Sequence, residues 1–456
     1  MQQLGRWIVI WQWALLLLLL PLFLFPSGFR GLVTLAIPIF WLIRKFIYGK
    51  FVTRSPYDLA VLALLAMIGV STFVSFDITL SLPRAIGILF GIALFYAILD
   101  FSSYFSPWPV VGVYLVGGVL LTLISLVGVH WLPPFDFLNG IRPWLPAATS
   151  IEIPGTVGGI INQNELAGTL TWIAPLALAC LLGLGKSLWI RGKLILFFVI
   201  IACFLTIFAL IATSSRGGIL ALGVGSTIVI VFFIPTRWRV VLAVGLVTLV
   251  LIAIAFGMRS VNNDVMGDTL GLTGRVEIWS RAMIAIGDFP LTGMGINSFR
   301  QVVQTIYPLF AIPADIDLAH AHNHLLQVAL DIGLPGLVAY ISIWIISTAL
   351  LWEARSKLVR HGMTDDPNYS LIAGLAGALV AGWVFGIFDA VSLGSRPSFM
   401  WWMLIGLTGS VYYAVISPVT RYEPDSPAQT AERPTYDEST VPPPIIPTVT
   451  SRYSKS

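Results

Sequence analysis

Twelve stretches of mostly apolar residues, at about 7–25, 29–47, 57–76, 85–101, 108–130, 165–184, 193–213, 217–234, 238–257, 324–352, 369–390 and 397–417, constrain this chain more than any other feature. A helix needs roughly 20 such residues to cross a bilayer, where hydrocarbon offers no partner to an unpaired backbone group. Composition agrees: 57% of the 456 residues are hydrophobic, 11% are charged, and mean hydropathy is +0.89. Soluble domains carry about a quarter charged residues. The expected fold is an all-α polytopic membrane protein of about 12 transmembrane helices, residues 1–417, with a large extracytoplasmic loop at 258–323 between helices 9 and 10. The first window is too long for a signal-peptide core and lacks a small-x-small cleavage site, so a retained anchor is expected.

Lysine and arginine gather in short cytoplasmic loops, which sets orientation. With both termini inside, the inner segments and the tail hold 17 of the 26 basic residues and the outer segments hold 9. That excess explains the net charge of +4 and pI near 9.1, so neither is a sign of nucleic-acid binding. It also isolates Arg30, Arg84, Arg142, Arg216, Arg259, Arg275, Arg281, Arg300 and Arg396 on the outer side, where several are expected to have a function. Cys180 and Cys203 fall inside apolar windows and read as packing residues, with no disulfide framework.

Two outer loops are long. The first, about 131–164, carries Asp136, Arg142, Glu152 and a glycine run at 155–159. In the second, Val276, Trp279, Met283 and Ile286 recur at helical spacing and predict an amphipathic helix over 275–287. Gly293-Met294-Gly295 ends it, and 296–306 reads as a second short helix. Residues 418–456 are polar and proline-rich, a composition that predicts a disordered cytoplasmic tail.

The chemistry concentrates in three places. Arg216 closes Thr213-Ser214-Ser215-Arg216-Gly217-Gly218 between two windows; a guanidinium at bilayer depth costs a few kcal/mol and needs an anion or water. Its glycine neighbours suggest room for a bulky phosphate, and lipid-phosphate snorkelling is the bland alternative. Arg275, in Gly274-Arg275-Val276-Glu277-Ile278-Trp279, reads either as part of a solvated face with an intrahelical ion pair or as a second fork for a diphosphate. His320, His322 and His324 invite a zinc reading, but no accompanying carboxylate or cysteine pattern supports it, and no metal is expected. His322, facing two arginines, would stay neutral and act as a general base. Asp389 and Arg396 flank the last hairpin, either paired with each other or facing substrate.

Thr213 to Gly218, Gly274 to Trp279 followed by Phe289-Pro290-Leu291-Thr292-Gly293-Met294-Gly295, and His322-Asn323 with nine residues to Gly333 and two more to Gly336 resemble the O-antigen ligase and O-antigen polymerase superfamily of bacterial envelope enzymes. The resemblance spans about 60–415. It implies a cofactor-free, metal-independent, inverting glycosyltransferase in the bacterial inner membrane, working on its outer face. The donor would be an undecaprenyl diphosphate-linked glycan, and the acceptor a lipid- or glycan-bearing hydroxyl such as lipid A core. Arg216 and Arg275 would hold the diphosphate and His322 would activate the acceptor, with Asn323, Arg300, Asp389 and Arg396 completing the substrate-binding set.

The same signature serves ligases and polymerases, which differ in acceptor, and the His-Asn-Gly pattern favours the ligase. A transporter, some relatives having been labelled bicarbonate carriers, and a lipid-linked cell-wall polymerase of different fold are the competing classes. Transporters place ionisable groups near the midplane, whereas here charges crowd the outer mouth.

Overall fold

The computed structural model describes residues 2–24, 34–129, 131, 161–235, 237–241, 244–245, 272–313 and 318–416. In chain order the helices are α1 (Gln2–Leu24), α2 (Ala36–Tyr48), α3 (Asp58–Phe73), α4 (Ile78–Ser102), α5 (Trp108–Gly128), α6 (Gln163–Arg191) and α7 (Lys193–Ala212). There follow α8 (Arg216–Phe233), α9 (Leu272–Asp288), α10 (Phe299–Ile306), α11 (His324–Arg360), α12 (Pro367–Phe388) and α13 (Ser398–Ile416). No strand occurs among the described residues; one isolated bridge joins Val129 to Ile161. The expected all-helical membrane architecture is therefore borne out, with nine helices among the described residues long and apolar enough to span.

Two of the expected windows are shorter helices. The 13 residues of α2 end where Gly49 turns left-handed at φ 72° and donates its N–H to Lys45. The 16 residues of α3 end just before Asp77, whose side chain caps α4 by accepting the Thr79 N–H at 2.8 Å. Most of the 238–257 window, the loop residues 132–160 and 258–271, and the tail at 418–456 lie outside the described residues.

Packing centres on α12, which lies most extensively against α6 and α8, while α13 packs on α4. Small residues make this possible. A Cβ on Gly377 of α12 would sit 2.7 Å from the Gly225 carbonyl of α8, and one on Gly374 would sit 2.6 Å from Leu176 of α6. In lipid such close approach stabilises through dispersion, since water exclusion gives little between two apolar helices. Cys180 and Cys203 are free and buried, as packing residues should be. At one end of the bundle Arg44, inside the expected 29–47 window, is buried: its Nε meets Asp100 Oδ2 at 2.8 Å, and Gln12 donates to the same oxygen at 2.9 Å. The three side chains tie α1, α2 and α4 together.

Helix α11 is broken inside its apolar span, at Ile332 and at Gly333, where φ is 71° and ψ 177°. A break in hydrocarbon must satisfy every backbone group it frees. Pro335 has no N–H to offer the Asp331 carbonyl, and Ser71 Oγ donates there instead. The Leu330 carbonyl accepts the Met294 N–H at 2.7 Å, and the Leu334 N–H goes to the Pro290 carbonyl at 2.7 Å. Residues 290–294 thus fill the break. Gly293, itself at φ 70°, and Gly333 meet backbone to backbone, and a Cβ on Gly333 would come 2.5 Å from the Leu291 carbonyl. Gly333 therefore serves the break and its loop, while a Cβ on Gly336 would first meet Ile332 of its own helix, at 2.5 Å.

Gly333→Ala should lower thermal stability in detergent by several degrees, because it combines a left-handed backbone with a carbonyl clash worth roughly 1–3 kcal/mol. Gly223→Ala, with nothing within 4 Å, should leave the melting temperature unchanged or raise it.

Candidate functional site

The loop helix α9 is amphipathic as expected, and its buried face shares Ile286 and the half-buried Trp279 with the face the spacing marked but is otherwise different. Ile278, Ala282, Ala285 and Ile286 are buried, whereas Val276 and Met283 are 55% and 60% exposed. Alanine carries too little hydrophobicity to mark the face by pattern, yet its small size lets α9 lie close to its neighbours. This phase gives Glu277 and Trp279 of the Gly274-to-Trp279 motif, and Arg281 just beyond it, hydrogen-bond partners. Glu277 accepts the N–H groups of Phe310 and Ala311 at 2.7 and 2.8 Å, and Arg281 Nε donates to the Pro308 carbonyl at 3.0 Å, in place of the expected intrahelical pair. Trp279 Nε1 donates to the Ala321 carbonyl at 3.0 Å, inside the histidine run.

The run itself is held from both sides. Ala321 N–H donates to Gln327 Oε1 at 2.8 Å, and Gln327 Nε2 is oriented by Asp331 Oδ1 at 3.0 Å. Asp331 in turn accepts the Asn297 N–H at 2.9 Å, next to the filled break. Asn323 then starts α11: its Oδ1 caps Leu325 and Leu326 N–H at 2.9 and 3.1 Å, and its Nδ2 donates to the Ile387 carbonyl at 3.1 Å. With both ends of its amide used, Asn323 joins the start of α11 to the end of α12.

That junction brings Asp389 to the histidines. Asp389 is only 3% exposed, and its Oδ1 lies 3.2 Å from His322 Nδ1 and 3.5 Å from His320 Nε2. Arg275 approaches the other oxygen, Oδ2, at 3.9 Å, too long for a hydrogen bond, and Arg275 Nε is buried without a partner. Burial alone would raise the Asp389 carboxyl, but the His322 hydrogen bond and the N–H of Ala390 help hold it below its ordinary value. An ionised carboxylate can only accept, so His322 Nδ1 donates and its Nε2 lone pair remains for an incoming proton. The partner that orients His322 is thus a carboxylate, where the sequence suggested two arginines. Burial pushes the His320 imidazole down to about 4, against the pull of Asp389, so it is neutral near pH 7.

The other expected residues lie on separate elements. Arg216 is the first residue of α8 and is exposed. A Cβ on Gly217 would lie 3.2 Å from Phe388 Cβ and one on Gly218 would lie 2.9 Å from Ala167, so these glycines seat α8 against α12 and α6. Gly217, the residue after Arg216, thus lies against Phe388, which precedes Asp389. Arg300 lies on α10 and Arg396 in the connection before α13, both half-buried. Arg84 of α4, noted in the sequence only as an outer arginine, contributes to the field at His320. His320, His322 and Asp389 present ligand atoms within 4.8 Å of one another, a spacing a metal ion could bridge. Arg275 already brings positive charge to that carboxylate, which opposes a second cation.

Residues 201–341 match a family model described as O-antigen ligase. The match supports membership of the O-antigen ligase superfamily. A search of curated proteins finds no match to the chain. The superfamily match includes Arg216, Arg275, His320 and His322 and stops before Asp389. It supports an O-antigen ligase- or polymerase-like function, a family that implies lipid-linked glycan substrates.

A histidine whose folded value is lowered binds fewer protons than in the unfolded chain between about pH 6.5 and 4, so its share of stability falls on acidification through that window. His320→Gln, which removes the titrating ring, should show a shallower loss of melting temperature between those pH values than the parent protein.

Proposed function

We propose that the protein is an O-antigen ligase-like glycosyltransferase of the bacterial inner membrane. It moves a glycan from undecaprenyl diphosphate to an acceptor hydroxyl on lipid A core or another envelope acceptor, on the outer face. The observation that carries this reading is the meeting of two separate motifs on one carboxylate, with Arg275 at 3.9 Å and His322 at 3.2 Å from Asp389.

In the proposed reaction the acceptor hydroxyl lies against His322 Nε2. Its oxygen attacks the anomeric carbon from the face opposite the diphosphate, a C–O bond forms, and the bond from that carbon to the phosphate oxygen breaks. The electron pair leaves on the diphosphate and the hydroxyl proton passes to His322, so configuration inverts. Arg275 and Arg216 offset the growing charge on the leaving group with forked hydrogen bonds, which removes the need for a metal or an activated nucleotide. Asp389 stabilises the imidazolium while it lasts. Arg300 and Arg396 extend the basic lining toward the phosphates or the glycan. A ligase differs from a polymerase only in the acceptor admitted, and the His322-Asn323 to Gly336 pattern favours the ligase.

Purified protein in nanodiscs, supplied with an undecaprenyl diphosphate-linked oligosaccharide and envelope membranes as acceptor source, should transfer the glycan. His322→Ala and Arg275→Ala should each reduce transfer by about 10²-fold or more. Undiminished transfer in Arg216→Ala, Arg275→Ala and His322→Ala alike would sink the enzyme reading, and solute uptake by the reconstituted protein would favour the transporter.

A further inference from the structure

His320 has had no role so far, yet both of its ring nitrogens are engaged. The His322 N–H points to His320 Nδ1 at 3.2 Å, so Nδ1 accepts and the neutral ring carries its proton on Nε2. That nitrogen lies 3.5 Å from Asp389 Oδ1, the oxygen that also receives His322 Nδ1 at 3.2 Å. The two imidazoles stand edge to face, 4.5 Å between centroids. His322 itself sits at φ 49°, a left-handed conformation that side-chain-bearing residues rarely adopt. Something must hold it there, and its only backbone donor is spent on His320.

The geometry points to His320 as a positioning residue for His322: it fixes the strained backbone from which the base projects and contributes a second N–H toward the carboxylate that orients that base. The inference rests on the proposed role of His322. Ala321, between the two histidines, is fixed through its N–H by Gln327 and through its carbonyl by Trp279, so the three-residue segment has no slack of its own. Remove the ring at 320 and His322 loses the acceptor for its N–H, the left-handed turn is free to relax, and Nε2 shifts from its line to the acceptor. Asp389 meanwhile loses one of its two imidazole neighbours. The charged and titratable groups that face His320 are Asp389 at the end of α12, His322 in its own segment, Arg84 on α4 and Arg275 on α9.

The two contacts can be separated. Asn at position 320 places an amide oxygen near the present Nδ1 and keeps the acceptor for His322 N–H, whereas Gln extends its amide toward the present Nε2 and Asp389. Steady-state transfer by the full-length protein, with the same undecaprenyl diphosphate-linked oligosaccharide as probe, reads the effect. His320→Ala should lower kcat by about tenfold or more while donor KM stays within about twofold, because a misplaced base costs the chemical step and not binding. The acid limb of kcat should move to higher pH, since Asp389 then directs its charge to His322 alone and favours the imidazolium. His320→Asn should recover much of the lost kcat.

Unchanged kcat and pH profile in His320→Ala would overturn the role. So would equal losses in the Ala, Asn and Gln variants that follow a fall in melting temperature, the mark of a purely structural residue. Activity lost in EDTA and restored by zinc would make His320 a metal ligand and overturn it as well. If the parent protein itself transfers nothing, it is the functional reading that fails, and the positioning role falls with it; an active parent with an indifferent position 320 defeats the positioning role alone.

Discussion

A carboxylate buried at the end of a membrane helix is the interaction on which the rest of this site depends. Asp389 cannot keep its charge there without partners, because stranding an ion in low dielectric costs several kcal/mol. His322, His320 and Arg275 reach it from two segments distant in sequence. Their arrival defines which nitrogen of His322 holds a proton and which is free. The contact of Arg275 with Asp389 at 3.9 Å is loose, which leaves that guanidinium available to a stronger anion. A diphosphate is such an anion.

Precision at that carboxylate is secured elsewhere. The break in α11 at Gly333 creates unpaired backbone groups, residues 290–294 pair with them, and this docks the end of α9 onto α11. From there Trp279 reaches Ala321, and Asp331 reaches the same residue through Gln327. Asn323 completes the frame by linking α11 to Ile387, two residues before Asp389. The motifs therefore form one mechanical unit: Gly293 and Gly333 meet at the break, Trp279 and Asn323 hold the segment, and His322 and Arg275 face Asp389. This explains why most polar residues of the motifs contact backbone and not the open site.

Much of the fold was legible in the sequence because hydrocarbon imposes length and apolarity on every spanning helix. The bounds of α2 and α3 were less legible, since α2 starts only at Ala36 and α3 stops at Phe73, inside apolar windows whose hydropathy does not mark those ends. The face of α9 was legible only in Trp279 and Ile286, because the rest of its core includes Ala282 and Ala285, which hydropathy scarcely distinguishes from loop residues. Of the site, Arg275 and His322 stood out as charges in costly places. Their meeting at Asp389, 67 residues beyond His322, depends on how α11 and α12 pack, and no local pattern encodes that. His320 was visible but mute: its role lies in which nitrogen faces which neighbour, a matter of three-dimensional geometry alone.

The position of a bound lipid diphosphate is the most direct test of the proposed site. A cryo-electron microscopy structure of the protein with undecaprenyl diphosphate should place the diphosphate between Arg275 and Arg216, with Arg275 turned from Asp389 Oδ2 toward phosphate oxygens and the His322 Nδ1 contact to Asp389 kept. Diphosphate density away from both arginines, or a metal ion seated among His320, His322 and Asp389, would contradict it.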